Sequence, residues 1–379
     1  MTKRRGALAG AVTACFSMLL VGSFVFADAR GGGQTESDTW TLEKRVALVE
    51  EALGAARRLS MRRDAIDWDV LDAEARRRAS ETKTLDDARS VIEWILAELG
   101  DGHSSLIRAG TMAGSEGASA PDGGSASGSG SGGRAPSPAA RTMPPPIDPD
   151  GRRLTGRIGY LRVPYLISMA PNVTGPWMEK LDRLQAEIVA EGAEAWVIDL
   201  RRNVGGNMWP MLAGLSGILG EGKAGTMTMP GGKPRDWGVG PGEVWVGPPP
   251  STMTSLGESV APDTSSFPVA VLTDQRTASS GEAVVVSFRG RPRTRSFGMP
   301  TSGQSTANST VTLSDGSLLN ITTSAFRDRN GRVYGGPITP DEVFDLPAPS
   351  REDPFPGTGG VADPVLEAAI RWLESELAG

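Results

Sequence analysis

Histidine and cysteine are nearly missing from this sequence, with one of each in 379 residues, His103 and Cys15, beside only three tyrosines. A single histidine excludes zinc sites built from several imidazoles. The single cysteine lies within residues 6–27, an uncharged apolar stretch that follows Lys3, Arg4 and Arg5 and precedes the small-residue run Ala27-Asp28-Ala29. Basic, then apolar, then small is the order of a secretory signal. The stretch is also just long enough to span a bilayer, which takes about 20 residues. Residues 1–29 are therefore expected to be a signal peptide or a membrane anchor, and either one sends the rest of the chain out of the cytoplasm. The exported part then has no thiol, hence no disulfide, no thiolate nucleophile and no cysteine-bound metal. Charge of one sign is also scarce: the net charge is −6, with no basic stripe, so no nucleic-acid partner is expected. Any contact with a membrane is expected through the N-terminal segment alone.

What is present divides the chain. Residues 30–37 read as a short tether, and residues 38–108 as a helical bundle. Leu42, Val46, Val49 and Leu53 recur at helical spacing, as do Leu85, Ala88, Ile92, Ile95, Leu96 and Leu99, with Thr84 as an N-cap and Gly100 as a stop. Residues 109–150 are Gly, Ser, Ala and Pro with few large apolar side chains, a composition that cannot offset its ordering entropy; they read as a linker. Residues 151–379 read as an α/β core. Buried strands are expected at Ile158 to Val163, Ala195 to Leu200 and Val269 to Thr273, with helices between them and a closing amphipathic helix from Asp363 to Leu377. This alternation predicts a largely parallel sheet. The Gly- and Pro-rich residues 220–266 read as a long excursion, a candidate lid.

Chemistry can sit in three loops. Gly100-Asp101-Gly102-His103-Ser104-Ser105 follows a helix, Asp199-Leu200-Arg201-Arg202-Asn203-Val204-Gly205-Gly206-Asn207 follows a strand, and Thr277-Ala278-Ser279-Ser280-Gly281-Glu282 joins a strand to a helix. Strand ends are where open α/β sheets gather their sites. A serine hydroxyl needs a base within reach, and imidazole suits that task. A serine at a helix start lies beside free backbone N–H groups that can hold an oxyanion. Each loop alone has an ordinary reading: an exposed turn for His103, an N-cap for Ser279, a Gly-Gly turn, and Asp101 bonding within its own loop. No G-x-S-x-G elbow and no G-x-x-x-x-G-K-[ST] phosphate loop is present, which excludes the α/β-hydrolase pattern and a P-loop. No cofactor and no metal is expected.

In combination and order the loops resemble the tricorn and carboxyl-terminal-processing serine peptidases. That resemblance rests on Gly159-Tyr160-Leu161-Arg162, the Asp199 to Gly206 and Thr277 to Glu282 loops, Gly298-Met299-Pro300-Thr301-Ser302-Gly303, and Gly336-Pro337-Ile338-Thr339-Pro340-Asp341. It covers about residues 85–377. The lysine of the Ser–Lys branch is replaced by Gln304, and the 109–150 stretch is too short and polar for the PDZ domain of that branch. The chain is therefore more similar to the histidine-dependent branch, which includes the nisin-resistance proteins. The resemblance implies Ser279 as nucleophile and His103 as general base. The Ser280 N–H and that of Gly205 or Gly206 would form the oxyanion hole, with Glu282 or Glu342 as an orienting acid. Gly102 stands where tricorn has a serine, which puts a full tetrad in doubt. The implied function is an extracytoplasmic serine endopeptidase acting on polypeptides, with trimming of C-terminal tails as one mode. The alternative is a non-catalytic protein of the same fold that holds a peptide or hydrophobic ligand.

Overall fold

The computed structural model describes residues 40–109, 147–248, 250–349, 355 and 362–379. The expected leader (1–29), the tether (30–37) and nearly all of the 109–150 stretch lie outside them.

Three helices open the described chain: α1 (Leu42–Leu59), α2 (Trp68–Ser80) and α3 (Leu85–Glu98). Their starts follow from side-chain caps. Thr41, Asp67 and Thr84 accept N–H groups of the first turns, and Asp87 reaches back to Thr84 N–H to complete a capping box on α3. The apolar stripes of these helices meet one another at Val49, Leu53, Ile92 and Ile95, as the spacing predicts, and also at Leu48 and Leu71, whereas Leu42 is exposed.

The parallel sheet expected from the alternating pattern is present. It comprises β2 (Asp150–Arg153), β3 (Ile158–Arg162), β4 (Ala195–Asp199), β9 (Val269–Thr273), β10 (Thr294–Gly298) and β13 (Glu342–Val343), in the order β13-β10-β9-β4-β3-β2. All its pairings are parallel except that of edge strand β2. On one face lie α4 (Pro171–Ala190), α5 (Met208–Gly214) and α7 (Ser280–Phe288); on the other lies α8 (Pro364–Ala378). Continuous apolar strands fit this, because both faces are covered. The short α6 (Ser216–Leu219) follows α5.

A largely parallel architecture describes only half of the core. A second, antiparallel sheet runs β1-β12-β5-β6-β7-β8, from β1 (Ser105–Ile107), β12 (Leu318–Arg327), β5 (Gly222–Thr228), β6 (Arg235–Gly240), β7 (Glu243–Gly247) and β8 (Ser251–Ser255), with β11 (Thr306–Thr312) paired to β12. Residues 220–266 are thus no irregular excursion: about half of them form strands β5 to β8. Two of their glycines make room for indoles. A Cβ on Gly225 would lie 2.1 Å from the Trp237 ring, and one on Gly238 the same distance from Trp245. Trp237 is fully buried, meets Phe326 edge-on at 5.5 Å and donates to Ser287 Oγ at 3.0 Å.

The antiparallel sheet also carries the helices. Leu313, Leu319 and Ile321, on and beside β12, belong to the helical core. The last residues of the expected linker are docked as well: Ile147 accepts the Trp177 indole N–H at 3.0 Å, and β2 begins at Asp150.

Candidate active site

The loop after β4 is built on a buried charge cluster. Asp199, fully buried, accepts Tyr160 Oη–H at 2.9 Å and Arg201 Nη2–H at 2.6 Å. The same guanidinium holds both oxygens of Asp363 at 2.8 Å. Asp363 also caps α8 by accepting Leu366 N–H at 3.1 Å. The Asp-Leu-Arg motif is therefore a bolt joining β3, β4 and α8. Burial and the adjoining Asp199 charge push the Tyr160 phenol well above its ordinary value, so it stays a hydrogen-bond donor.

Asn203 ties this loop to its neighbours. Its Nδ2 donates to the carbonyls of Val163 and Pro164, and its Oδ1 accepts Gly205 N–H at 3.0 Å. Its carbonyl accepts Ala278 N–H at 2.9 Å, which brings in the serine loop. The two glycines that follow have φ of 104° and 110°, and both are packed too tightly for a side chain. A Cβ on Gly205 would lie 2.8 Å from Ser279 Cβ and 3.1 Å from Ser280 N, and one on Gly206 would lie 2.2 Å from the Leu166 carbonyl oxygen. Gly205 N–H is already given to Asn203. Gly206 N–H has no hydrogen-bond partner among the described residues. Ser280 N–H, the first of α7, has no acceptor within its helix, and Ser280 Oγ–H donates to the Gly206 carbonyl at 2.5 Å.

Ser279 stands between β9 and α7 with φ 52° and ψ −116°. For a residue with a Cβ this is a strained conformation, of a kind that concentrates at functional sites and costs about 1–3 kcal/mol. It is a sharp strand-to-helix turn, the structural context of a nucleophile elbow, reached here without the G-x-S-x-G sequence. The surroundings hold it in place. Thr277 Oγ–H donates to the Leu200 carbonyl, Ser302 N–H donates to the Thr277 carbonyl, and Ser279 N–H donates to Glu282 Oε2 at 2.9 Å. Gly281 has to be glycine, because a Cβ there would lie 2.6 Å from the Asn203 carbonyl oxygen.

His103 enters from the other side, on the loop between α3 and β1. Asp101 shapes that loop: its Oδ1 accepts the N–H groups of His103 (3.0 Å) and Ser104 (2.8 Å), and its Oδ2 accepts Ser104 Oγ–H. Burial lowers the His103 pKa below its ordinary value, against the Asp101 charge, which raises it. Residues 301–308 reach both loops. Gly303 N–H and Thr301 Oγ–H bond Glu282, Gln304 Nε2–H donates to the Gly102 carbonyl at 3.3 Å, and Thr306 Oγ1 lies 2.7 Å from His103 Nδ1. Gln304, at the position of the lost lysine, thus clasps the histidine loop. His103 Nε2 makes no hydrogen bond among the described residues, so a closed Ser279–His103 bond is not formed.

Neither expected acid bonds to His103. Glu282 is spent on Ser279 N–H, Thr301 and Gly303, and burial raises its carboxyl pKa against the pull of those bonds. Glu342 sits on β13 and pairs with Arg295 at 3.2 Å. The group on the imidazole is a hydroxyl, Thr306, which the sequence did not single out. Among the described residues no three His, Cys, Asp or Glu side chains gather as metal ligands. Nor is any described helix long and apolar enough to cross a membrane.

The chain is similar to known proteins in sequence and in fold. Over 180 residues the chain is 33% identical to the nisin-resistance protein of Lactococcus lactis subsp. lactis, spanning 46% of this chain and 55% of that one. It is 23% identical over 212 residues to a carboxy-terminal-processing protease of Bartonella bacilliformis, spanning 56% and 44%. The chain thus spans about half the length of these curated relatives. Among solved structures, a lipoprotein from Streptococcus agalactiae matches with TM-score 0.65 and 22% identity over 88% of this chain and 96% of that one. The photosystem II D1 C-terminal processing protease matches with TM-score 0.51 and 16% identity over 79% and 93%. At these identities the two structures speak for the fold alone. Residues 157–344 match the sequence profile of peptidase family S41, and with the two strand-end loops and the strained serine all inside that span, the core of this chain belongs to peptidase family S41.

Proposed function

We propose that the chain is an extracytoplasmic serine peptidase in which Ser279 attacks the scissile carbonyl of a polypeptide. His103 takes the Ser279 proton through Nε2 and returns it to the leaving amine, and water then releases the acyl group by the same route in reverse. The N–H groups of Gly206 and Ser280 hold the tetrahedral oxyanion. Gly205 falls out of that role because its N–H is bound to Asn203. Glu282 does not orient the base; it fixes the nucleophile's backbone. One observation carries the reading: Ser279 is held at φ 52° against a Gly-Gly turn, a conformation that packing alone gives no reason to keep. The exported location rests on the pattern of residues 1–29. The relative from Lactococcus lactis is named for nisin resistance, so nisin is the first individual peptide to try.

The test is cleavage of a mixed peptide library by residues 28–379, beside the Ser279→Ala and His103→Ala variants, with products read by mass spectrometry. Loss of the nucleophile should lower the rate by about four to six orders of magnitude. The cut sites separate tail trimming from internal cleavage. Equal cleavage by parent and Ser279→Ala would sink the proposal. No cleavage by the parent, together with no acyl adduct at Ser279 from an active-site acylating reagent, would leave the ligand-binding alternative standing.

A further inference from the structure

A base that works through Nε2 must carry its proton on Nδ1, and something must hold that proton and the ring. In this chain the position is filled by Thr306 Oγ1, 2.7 Å from Nδ1. Thr306 opens β11 and is 5% exposed. Its N–H is bound to the Gln304 carbonyl at 2.7 Å, and its strand is paired to β12. Its backbone is therefore fixed, and its hydroxyl makes no other hydrogen bond among the described residues.

We infer that Thr306 is the positioning residue of the base: it accepts Nδ1–H and thereby fixes both the ring and the tautomer that leaves Nε2 free for the Ser279 proton. A hydroxyl can give or take such a bond, and only the form in which it accepts is productive. The inference rests on the assignment of His103 as the base. It departs from the expectation of an acid, since Glu282 and Glu342 are both engaged elsewhere. A hydroxyl differs from a carboxylate in one measurable way: it orients the imidazole without supplying charge to stabilise the imidazolium. Around the ring, Asp101 on its own loop is the charged group. Gln304, Thr306 and Asn308, from the segment packed against that loop, are neutral.

Because His103 is the chain's single histidine, its imidazole can be followed alone. The experiment is nitrogen NMR of histidine-labelled protein across pH, with kcat and KM measured in parallel, for the parent and for Thr306→Val, Thr306→Ser and Thr306→Asp. The parent and Thr306→Ser should show the Nδ1–H tautomer at neutral pH. Thr306→Val should lose that preference and lower kcat by about 10–100-fold with KM little changed. Thr306→Asp should raise the titration midpoint by about one pH unit or more, as a facing carboxylate does. An unchanged tautomer in Thr306→Val, or an unmoved midpoint in Thr306→Asp, would overturn the inference whether or not a substrate is in hand. A parent that cleaves peptides no faster than His103→Ala would instead remove the functional assignment, and the NMR result would still report what Thr306 does to the ring.

Discussion

Ser279 occupies a backbone conformation that works against stability. At φ 52° and ψ −116° its Cβ presses on the peptide ahead of it, and the turn persists because Glu282, Thr277 and Asn203 hold it from three directions. Glycine meets no such penalty, although it loses more chain entropy on folding. The strain is about 1–3 kcal/mol and the entropic cost about 0.5–1 kcal/mol, so relief should win. Ser279→Gly is therefore expected to unfold at higher denaturant concentration than the parent, by about 1 kcal/mol, while losing peptidase activity. Chemical denaturation with an unchanged slope would measure it. A variant less stable than the parent would mean that the turn is not strained and that the serine is held there by its own bonds.

At the scale of elements, the Asp-Leu-Arg bolt couples the site to the frame. Arg201 is 4% exposed and faces Asp199 and Asp363, which are 0% and 6% exposed. Removing the cation leaves two buried carboxylates together with hydrogen bonds but no opposite charge. Arg201→Met should therefore cost about 3–5 kcal/mol, read as a fall in the thermal midpoint. A loss below about 1 kcal/mol would show that water reaches the cluster.

The elements also show what could be read in advance. Strands β3, β4 and β9 were legible because strands covered on both faces are continuous apolar runs, and α3 because Thr84 and Gly100 mark its ends. The loops that carry Ser279, Gly205 and Gly206, and His103 were legible because each is short and lies at the end of such an element. Strands β5 to β8 were hidden by their glycines. Gly225 and Gly238 look like turn residues, yet they exist to let Trp237 and Trp245 lie flat on the neighbouring strand. Thr306 was hidden for a different reason. It belongs to an alternating polar strand, and only the register of β11 on β12 selects which of its hydroxyls faces the histidine.

Across the whole molecule, the proposed nucleophile and base arrive on different layers of the fold. Ser279 belongs to the α/β core, whereas His103 hangs from the end of α3 and leads into β1, which pairs with β12. The geometry of the proposed dyad therefore depends on how firmly the helices sit on the antiparallel sheet. Besides the apolar contacts, that seam holds the Met61 N–H bond to the Thr322 carbonyl and a buried ion pair, Arg89 Nε to Asp315 Oδ2 at 2.8 Å. The Asp315 side chain is fully buried. Burial alone would raise its carboxyl pKa, but the bonds from Ser317 and Arg89 outweigh that and hold it below the ordinary value. The sign of the pH effect follows. The folded carboxyl keeps its charge to lower pH than the unfolded one, so its contribution is complete above the unfolded value of about 3.9 and is lost as pH falls through the folded value. Asp315→Asn should thus cost about 1.5–3 kcal/mol at pH 7, the worth of a hydrogen bond to a charged group. The gap between parent and variant should then close below about pH 4. Thermal unfolding of both proteins from pH 7 to pH 3 would measure it. Curves that stay parallel down to pH 3 would show that the seam is held by its apolar contacts and that the ion pair adds nothing to the placement of the base.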